Sequence, residues 1–236
     1  MPKAIFFDLG STLWDDYPTE LYQWEYLTER LRPHGVSITL DQIVEEARKV
    51  VGTYCPSLTR SIVFKLLNEN LQHYWEVIED LMKHTADAFS DPEVFRRLNP
   101  LYPGVRELLA DLSRRYRLAV VSQHVSTAER YMSYHGIDSY FQHITISDNE
   151  KLYKPDPRLF ALTCQAVGVV PGEVVMVGDR LDNDIWPANR LKMTTVWVLS
   201  EPYRRQRPRY HTDVPDYTIE NVLELPAVLE QIEGDQ

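Results

Sequence analysis

The sequence predicts an α/β fold, a doubly wound parallel sheet with a helical segment inserted after its first strand. Three observations carry this. Short continuous apolar runs recur along the chain, each followed by a small or polar residue. From about residue 101 onward these runs alternate with amphipathic helical patterns, as in successive βαβ units. Between about residues 15 and 98 convincing strand runs are missing and helical periodicity takes over.

Taken in order, Ala4 to Phe7 reads as a buried strand, followed at once by Gly10 and Ser11. Helices are expected at Thr19–Arg32, Leu40–Val51, Thr59–Leu67, Asn70–Thr85 and Pro92–Arg97. They are separated by turn chemistry such as Pro33-His34-Gly35 and Tyr54-Cys55-Pro56-Ser57. The aromatics of this segment (Tyr22, Trp24, Tyr26, Tyr54, Tyr74, Trp75 and Phe89) read mainly as core packing. Val105–Arg115 places Val105, Leu108, Leu109 and Leu112 at helical spacing. A strand follows at Leu118–Val121, ending in Ser122, then a helix at Ser126–His135 with Ser126 as N-cap. Ile144–Ile146, Val174–Val177 and the β-branched Thr195–Leu199 read as further strands, with a helix at Pro157–Val167. Glu201–Asp216, with Arg204, Arg205, Arg207 and Arg209, reads as a solvated loop, and Asn221–Ile232 as a closing helix.

Composition narrows the function classes. The 236 residues suit one large domain or a core with a smaller companion. The 25 Lys+Arg against 35 Asp+Glu give a net charge of −10, which argues against a nucleic-acid partner. A small anionic substrate would need its own local positive charge, from a lysine, a cation or backbone N–H groups. Cys55 and Cys164 are too few for a disulfide scaffold and are expected as reduced thiols. The N-terminal apolar run stops at Asp8, which fits neither a signal peptide nor a membrane span, so a cytoplasmic protein is expected. The histidines show no metal-ligand spacing, and His73, His84 and His211 read as structural or surface residues.

Ligands of open α/β sheets bind at the carboxyl ends of the strands. There the chain places Asp8, Ser122 and Asp179, with Lys154 before Pro155-Asp156-Pro157. A carboxylate can attack phosphorus and form an acyl phosphate. A divalent cation offsets the repulsion between that carboxylate and a phosphate dianion. Mg²⁺ prefers oxygen ligands, which Asp8, Asp179 and Asp184 can supply. Lys154 and Ser122 would hold the phosphoryl oxygens, and the N–H groups of Leu9 and Gly10 could form an anion nest. Asp182 reads as a surface or capping residue.

Asp8-Leu9-Gly10-Ser11-Thr12-Leu13, Ser122, Lys154-Pro155-Asp156-Pro157 and Gly178-Asp179-Arg180-Leu181-Asp182-Asn183-Asp184 together resemble the four ordered motifs of the haloacid dehalogenase-like (HAD) hydrolase superfamily. The resemblance covers roughly residues 1–14 and 99–230. It implies a Rossmann-like core at 1–14 and 99–236 and a helical cap domain at 15–98. Asp8 becomes the nucleophile and a metal ligand, and the Gly10 carbonyl a further ligand. Ser122 and Lys154 hold the phosphoryl group, with the Gln123 amide beside them. Asp179 becomes the principal acidic ligand of Mg²⁺, and Asp184 a water-mediated partner that orients Lys154. The activity implied is a phosphatase acting on a small phosphorylated metabolite, as a monomer or homodimer.

The chain departs from the family pattern at Gly10. Family phosphatases usually carry a second Asp there, which protonates the leaving alcohol and then activates water. General acid–base catalysis is worth about 10²–10⁴-fold. His124, Asp15, Asp16 or water are the candidates to substitute. Two other readings follow. A metal-independent 2-haloacid dehalogenase shares the Asp nucleophile, but its last motif is Ser-rich where this chain has Gly178-Asp179 and Asp184. A catalytically impaired binding or regulatory protein would explain Gly10 but not the other motif positions. Gln123 stands where the family often has Asn and still offers an amide, while Lys151 and Pro187 stand where Gly is usual and bear on loop geometry more than on chemistry.

Overall fold

The structure is a computed structural model and describes residues 1–234; positions 235 and 236 of the expected core segment lie outside the described residues. The chain divides into two compact units, Met1–Asp15 with Leu101–Gln236, and Asp16–Pro100.

The first unit is built on six parallel strands: β1 Ala4–Phe7, β2 Arg117–Ser122, β3 His143–Ile146, β4 Val174–Gly178, β5 Thr194–Val198 and β6 Tyr217–Ile219. Their order is β3-β2-β1-β4-β5-β6. The chain therefore winds outward in both directions from β1 and β4, the point where open α/β sheets bind ligands. All four residues of β1 are fully buried. Ala4 and Phe6 join Ala119, Val121, Val174 and Met176 in a cluster with Leu159 and Phe160. Strand alternation sends Ile5 and Phe7 to the opposite, equally covered face. Both faces are apolar, so β1 reads as a continuous run rather than an alternating one. The chain leaves this unit through Trp14, which bridges antiparallel to Leu101, and Tyr102 N–H donates to the Leu13 carbonyl at 3.2 Å.

The second unit comprises α1 Tyr17–Arg30, α2 Leu40–Val51, α3 Leu58–Leu66, α4 Leu71–Ala88 and α5 Pro92–Leu98. Their starts are chemically marked. Thr39 and Gln42 form a reciprocal capping box on α2. The Asn70 side chain accepts from His73 N–H at 3.1 Å, and the Asp91 side chain from Glu93 N–H at 2.8 Å. Trp24 is fully buried and its indole donates to Thr59 Oγ1 at 2.8 Å. His84 stacks on Tyr26 and Tyr22, at 3.8 and 5.0 Å between ring centroids. The core-packing expectation fails at Trp75, which is 51% exposed on α4.

The remaining helices of the first unit are α6 Val105–Leu112, α7 Ala128–His135, α8 Ser147–Glu150, α9 Pro157–Val167, α10 Trp186–Arg190 and α11 Leu225–Gly234. Two sequence expectations need correction. Helix α7 begins after Thr127 without a side-chain cap, so Ser126 is not its N-cap. Strand β6 pairs Tyr217 with Val196 where no strand was expected. Three residues with only Ile219 buried are too short to show a period. Among the described residues no helix is long and apolar enough to cross a membrane.

Candidate active site

Asp8 emerges directly from β1. Its N–H donates to the Val177 carbonyl at 3.0 Å, which fixes it level with the end of β4. The chain then turns sharply. The fully buried Leu9 accepts at its carbonyl from Leu13 N–H at 2.8 Å, Ser11 takes φ +54°, and Gly10 bridges to Trp14.

Beyond β4 the chain makes a wide helical turn over Leu181–Ile185. The N–H groups of Asp184 and Ile185 both donate to the Arg180 carbonyl, at 3.0 and 3.2 Å. Such i→i+5 turns recur at functional sites. This one folds Asp184 back onto the strand end. A Cβ on Gly178 would lie 2.4 Å from Asp184 Cγ, so residue 178 has no room for a side chain. Asp179 is 2% exposed, and its carbonyl accepts from the Trp197 indole at 2.7 Å.

Lys154 reaches the same place from the loop between α8 and α9. Its bond to Pro155 is cis, and Asp156 caps α9 by accepting from Arg158 N–H at 2.9 Å. Lys154 Nζ donates to Asp8 Oδ1 at 2.7 Å and to Asp184 Oδ1 at 2.5 Å. Asp184 Oδ2 accepts from Arg180 N–H at 3.0 Å. The Lys154 and Asp184 side chains are each 1% exposed. Burial pushes the Asp184 carboxyl up to about 6, against the pull of Lys154. Burial alone would lower the Lys154 ammonium, but Asp184 and Asp8 hold it above its ordinary value.

Asp8, Asp179 and Asp184 each offer a carboxylate oxygen, all within 4.8 Å of one another. Three carboxylates and one lysine converge in a largely buried pocket. An all-oxygen donor set of this kind fits a hard divalent cation.

The register Phe7↔Val120 puts Ser122, the last residue of β2, level with Leu9. Ser122 is buried, and its carbonyl accepts from Ser147 Oγ at 3.2 Å. Gln123 and His124 follow it, half-buried. Burial lowers the His124 imidazole, with Asp8 pulling the other way. Its Nδ1 accepts from Val125 N–H at 2.9 Å. Asp15 and Asp16 fall where the chain passes from one unit to the other.

One neighbouring network escapes sequence reading. Asp182 is buried rather than on the surface, and pairs with Arg180 through two bonds, at 2.6 and 3.0 Å. Fully buried Gln206 donates to Asp182 Oδ1 at 3.0 Å and accepts from Leu181 N–H at 2.8 Å. Arg180 lies over the Tyr203 ring at 4.6 Å. The loop after β5 is thus pinned to the wide turn from within. Its arginines read correctly as mostly solvated, but a single Gln inside an Arg-rich run gives no sequence signal of burial.

The sheet order, the paired acidic turns at β1 and β4 and the buried lysine define a class of hydrolase. The family model described as haloacid dehalogenase-like hydrolase matches residues 2–191, and the chain belongs to that family. It is 31% identical to the glyceraldehyde 3-phosphate phosphatase of Methanopyrus kandleri, with all of both chains covered. It is 28% identical to the protein of the same name from Pyrococcus furiosus, over 99% of this chain and 94% of that one. Among solved structures, the HAD phosphatase from Thermococcus onnurineus superposes with a TM-score of 0.64 at 26% identity, covering 96% of this chain and 97% of that one.

Proposed function

We propose that this enzyme is a Mg²⁺-dependent phosphatase that hydrolyses a small phosphorylated metabolite through an aspartyl-phosphate on Asp8. The observation that carries the reading is the convergence of the Asp8, Asp179 and Asp184 oxygens within 4.8 Å, beside the Lys154 ammonium. The family match and the phosphatase names of the relatives support it.

Asp8 attacks phosphorus, and the bond from phosphorus to the leaving oxygen breaks. Water then attacks the phosphorus of the acyl phosphate, releasing inorganic phosphate and restoring the carboxylate. Lys154 holds one Asp8 oxygen at 2.7 Å and so fixes how the carboxylate is turned. Its charge, with the Ser122 hydroxyl, the Gln123 amide and the N–H groups of Leu9 and Gly10, would bind the phosphoryl oxygens. Asp8, Asp179, Asp184 and the Gly10 carbonyl would hold Mg²⁺, which supplies charge neutralisation for the phosphoryl group. Gly10 has no side chain to protonate the leaving oxygen, so water or His124 takes that part. The names of the relatives make a triose phosphate the first substrate to try.

The test is release of inorganic phosphate from a panel of metabolite phosphates with Mg²⁺. Release should stop with EDTA and with Asp8→Asn. No release across the panel would overturn the reading, and chloride release from 2-chloropropionate without metal would replace it with a dehalogenase.

A further inference from the structure

We propose a second metal site, for Zn²⁺ and related borderline cations, formed by His34, His73 and Glu76 within the helical unit. The nitrogen and oxygen donors of these three side chains all lie within 4.8 Å of one another. Two imidazoles and one carboxylate are a recurrent zinc set, and three protein ligands leave a fourth position for water. Their donor types also separate this site from the all-carboxylate cluster at Asp8, which suits a hard cation.

The backbone holds the donors in place. His34 ends the short turn Arg32–His34, between Pro33 and a left-handed Gly35 at φ +81°. His73 sits in the first turn of α4, where its N–H is bound by the Asn70 cap at 3.1 Å. Glu76 follows one turn later on the same face. The two imidazoles already meet, with centroids 4.5 Å apart and planes at 45°. In a tetrahedron with bonds of about 2.0–2.1 Å, ligand atoms lie about 3.4 Å apart. Each donor therefore has to move inward by less than about 1 Å, within reach of half-buried and exposed side chains.

The charges agree. The nearest cation in sequence, Arg32, is engaged by Glu29 Oε2 at 2.9 Å. The start of α4 carries a partial positive charge that opposes a cation, but Glu76 brings a full negative charge as a direct ligand. Bound there, Zn²⁺ would clip the Arg32–His34 turn to α4, joining segments separated in sequence by α2 and α3.

The test titrates Zn²⁺ into the chelator-stripped full chain with Mg²⁺ in millimolar excess, so that the oxygen cluster is competed for. Calorimetry should show one saturable site per chain, weakened at least about tenfold in both His34→Gln and His73→Gln. Free Zn²⁺ at about 100-fold over Kd should raise Tm by about 5 °C or more in the unaltered chain and not in the variants. Co²⁺ should give the visible absorption of a tetrahedral site, lost in the same variants. Both variants should keep the Mg²⁺-dependent activity and the metal-free Tm of the unaltered chain. No saturable Zn²⁺ binding would overturn the proposal. So would binding that survives both His variants and disappears in Asp179→Asn.

Discussion

Replacing Gly178 with alanine tests how the acidic site is built. The added Cβ would meet Asp184 Cγ at 2.4 Å, and its Cβ and Oδ2 at 2.5 Å each. Ordinary carbon contacts begin near 3.5 Å, so Asp184 must retreat by about 1 Å. Two bonds resist this, from Lys154 Nζ at 2.5 Å and from Arg180 N–H at 3.0 Å. Overpacking of this kind costs about 1–3 kcal/mol. At about 2–4 °C per kcal/mol for a chain of this size, Tm should fall by about 2–12 °C. A displacement of about 1 Å in a positioning group costs about 10²-fold in rate, so kcat/KM should fall by about that factor. Gly172→Ala is the control, since a Cβ there meets nothing within 4 Å. Phosphate release and thermal unfolding of both variants decide the matter. A Gly178→Ala enzyme with unaltered kcat/KM and Tm would refute the close packing on which the site description rests.

Three further outcomes are expected. Gly10→Asp should raise turnover of an alkyl phosphate by supplying the absent acid–base group, up to about 10²-fold or more, with less gain on p-nitrophenyl phosphate; an unchanged alkyl rate counts against the missing-acid argument. Lys154→Met leaves Asp8 and Asp184 facing each other without their shared cation, so denaturant unfolding in EDTA should show a loss of about 3–5 kcal/mol; a loss below 1 kcal/mol would contradict the buried pairing. Burial, with a hydrogen bond to Glu233 and its charge, pushes the Tyr116 phenol up to about 12. A folded value above the unfolded one near 10 means stability that is complete below pH 10 and lost as pH rises through 12. The stability gap between the unaltered chain and Tyr116→Phe should therefore shrink over that window, and a gap that stays constant would reject the assignment.

The strands that hold the site were the most legible part of the sequence. Ala4–Phe7 is legible to the residue, because a strand buried on both faces leaves an uninterrupted apolar run. The helix at Pro157–Val167 was equally plain, since Asp156 and Pro157 mark its start and Gly168 its end. Asp8, Asp179 and Lys154 can be nominated because they stand at strand and helix ends. What remained hidden depends on distance in three dimensions. The role of Gln206 is set by partners on a turn more than twenty residues away. His34 and His73 show no common spacing, yet their rings meet. The edge strand β6 was lost because pairing, rather than pattern, makes three residues a strand.

The position of β1 has a consequence in time. Its partners are residues 117–120 on one side and 174–177 on the other. During synthesis β1, which leads into Asp8, leaves the ribosome before the other five strands and then waits for its partners. Residues Asp16–Pro100, by contrast, form a contiguous unit whose internal partners have all emerged before β2 exists. Long-range parallel pairing is slow to form, because the loop entropy must be spent before the contacts repay it. Strand β1 is therefore made before both of its partners and secured only after they emerge, and an exposed Ala4–Phe7 segment is a point at which a nascent chain is open to chaperones or to misassembly.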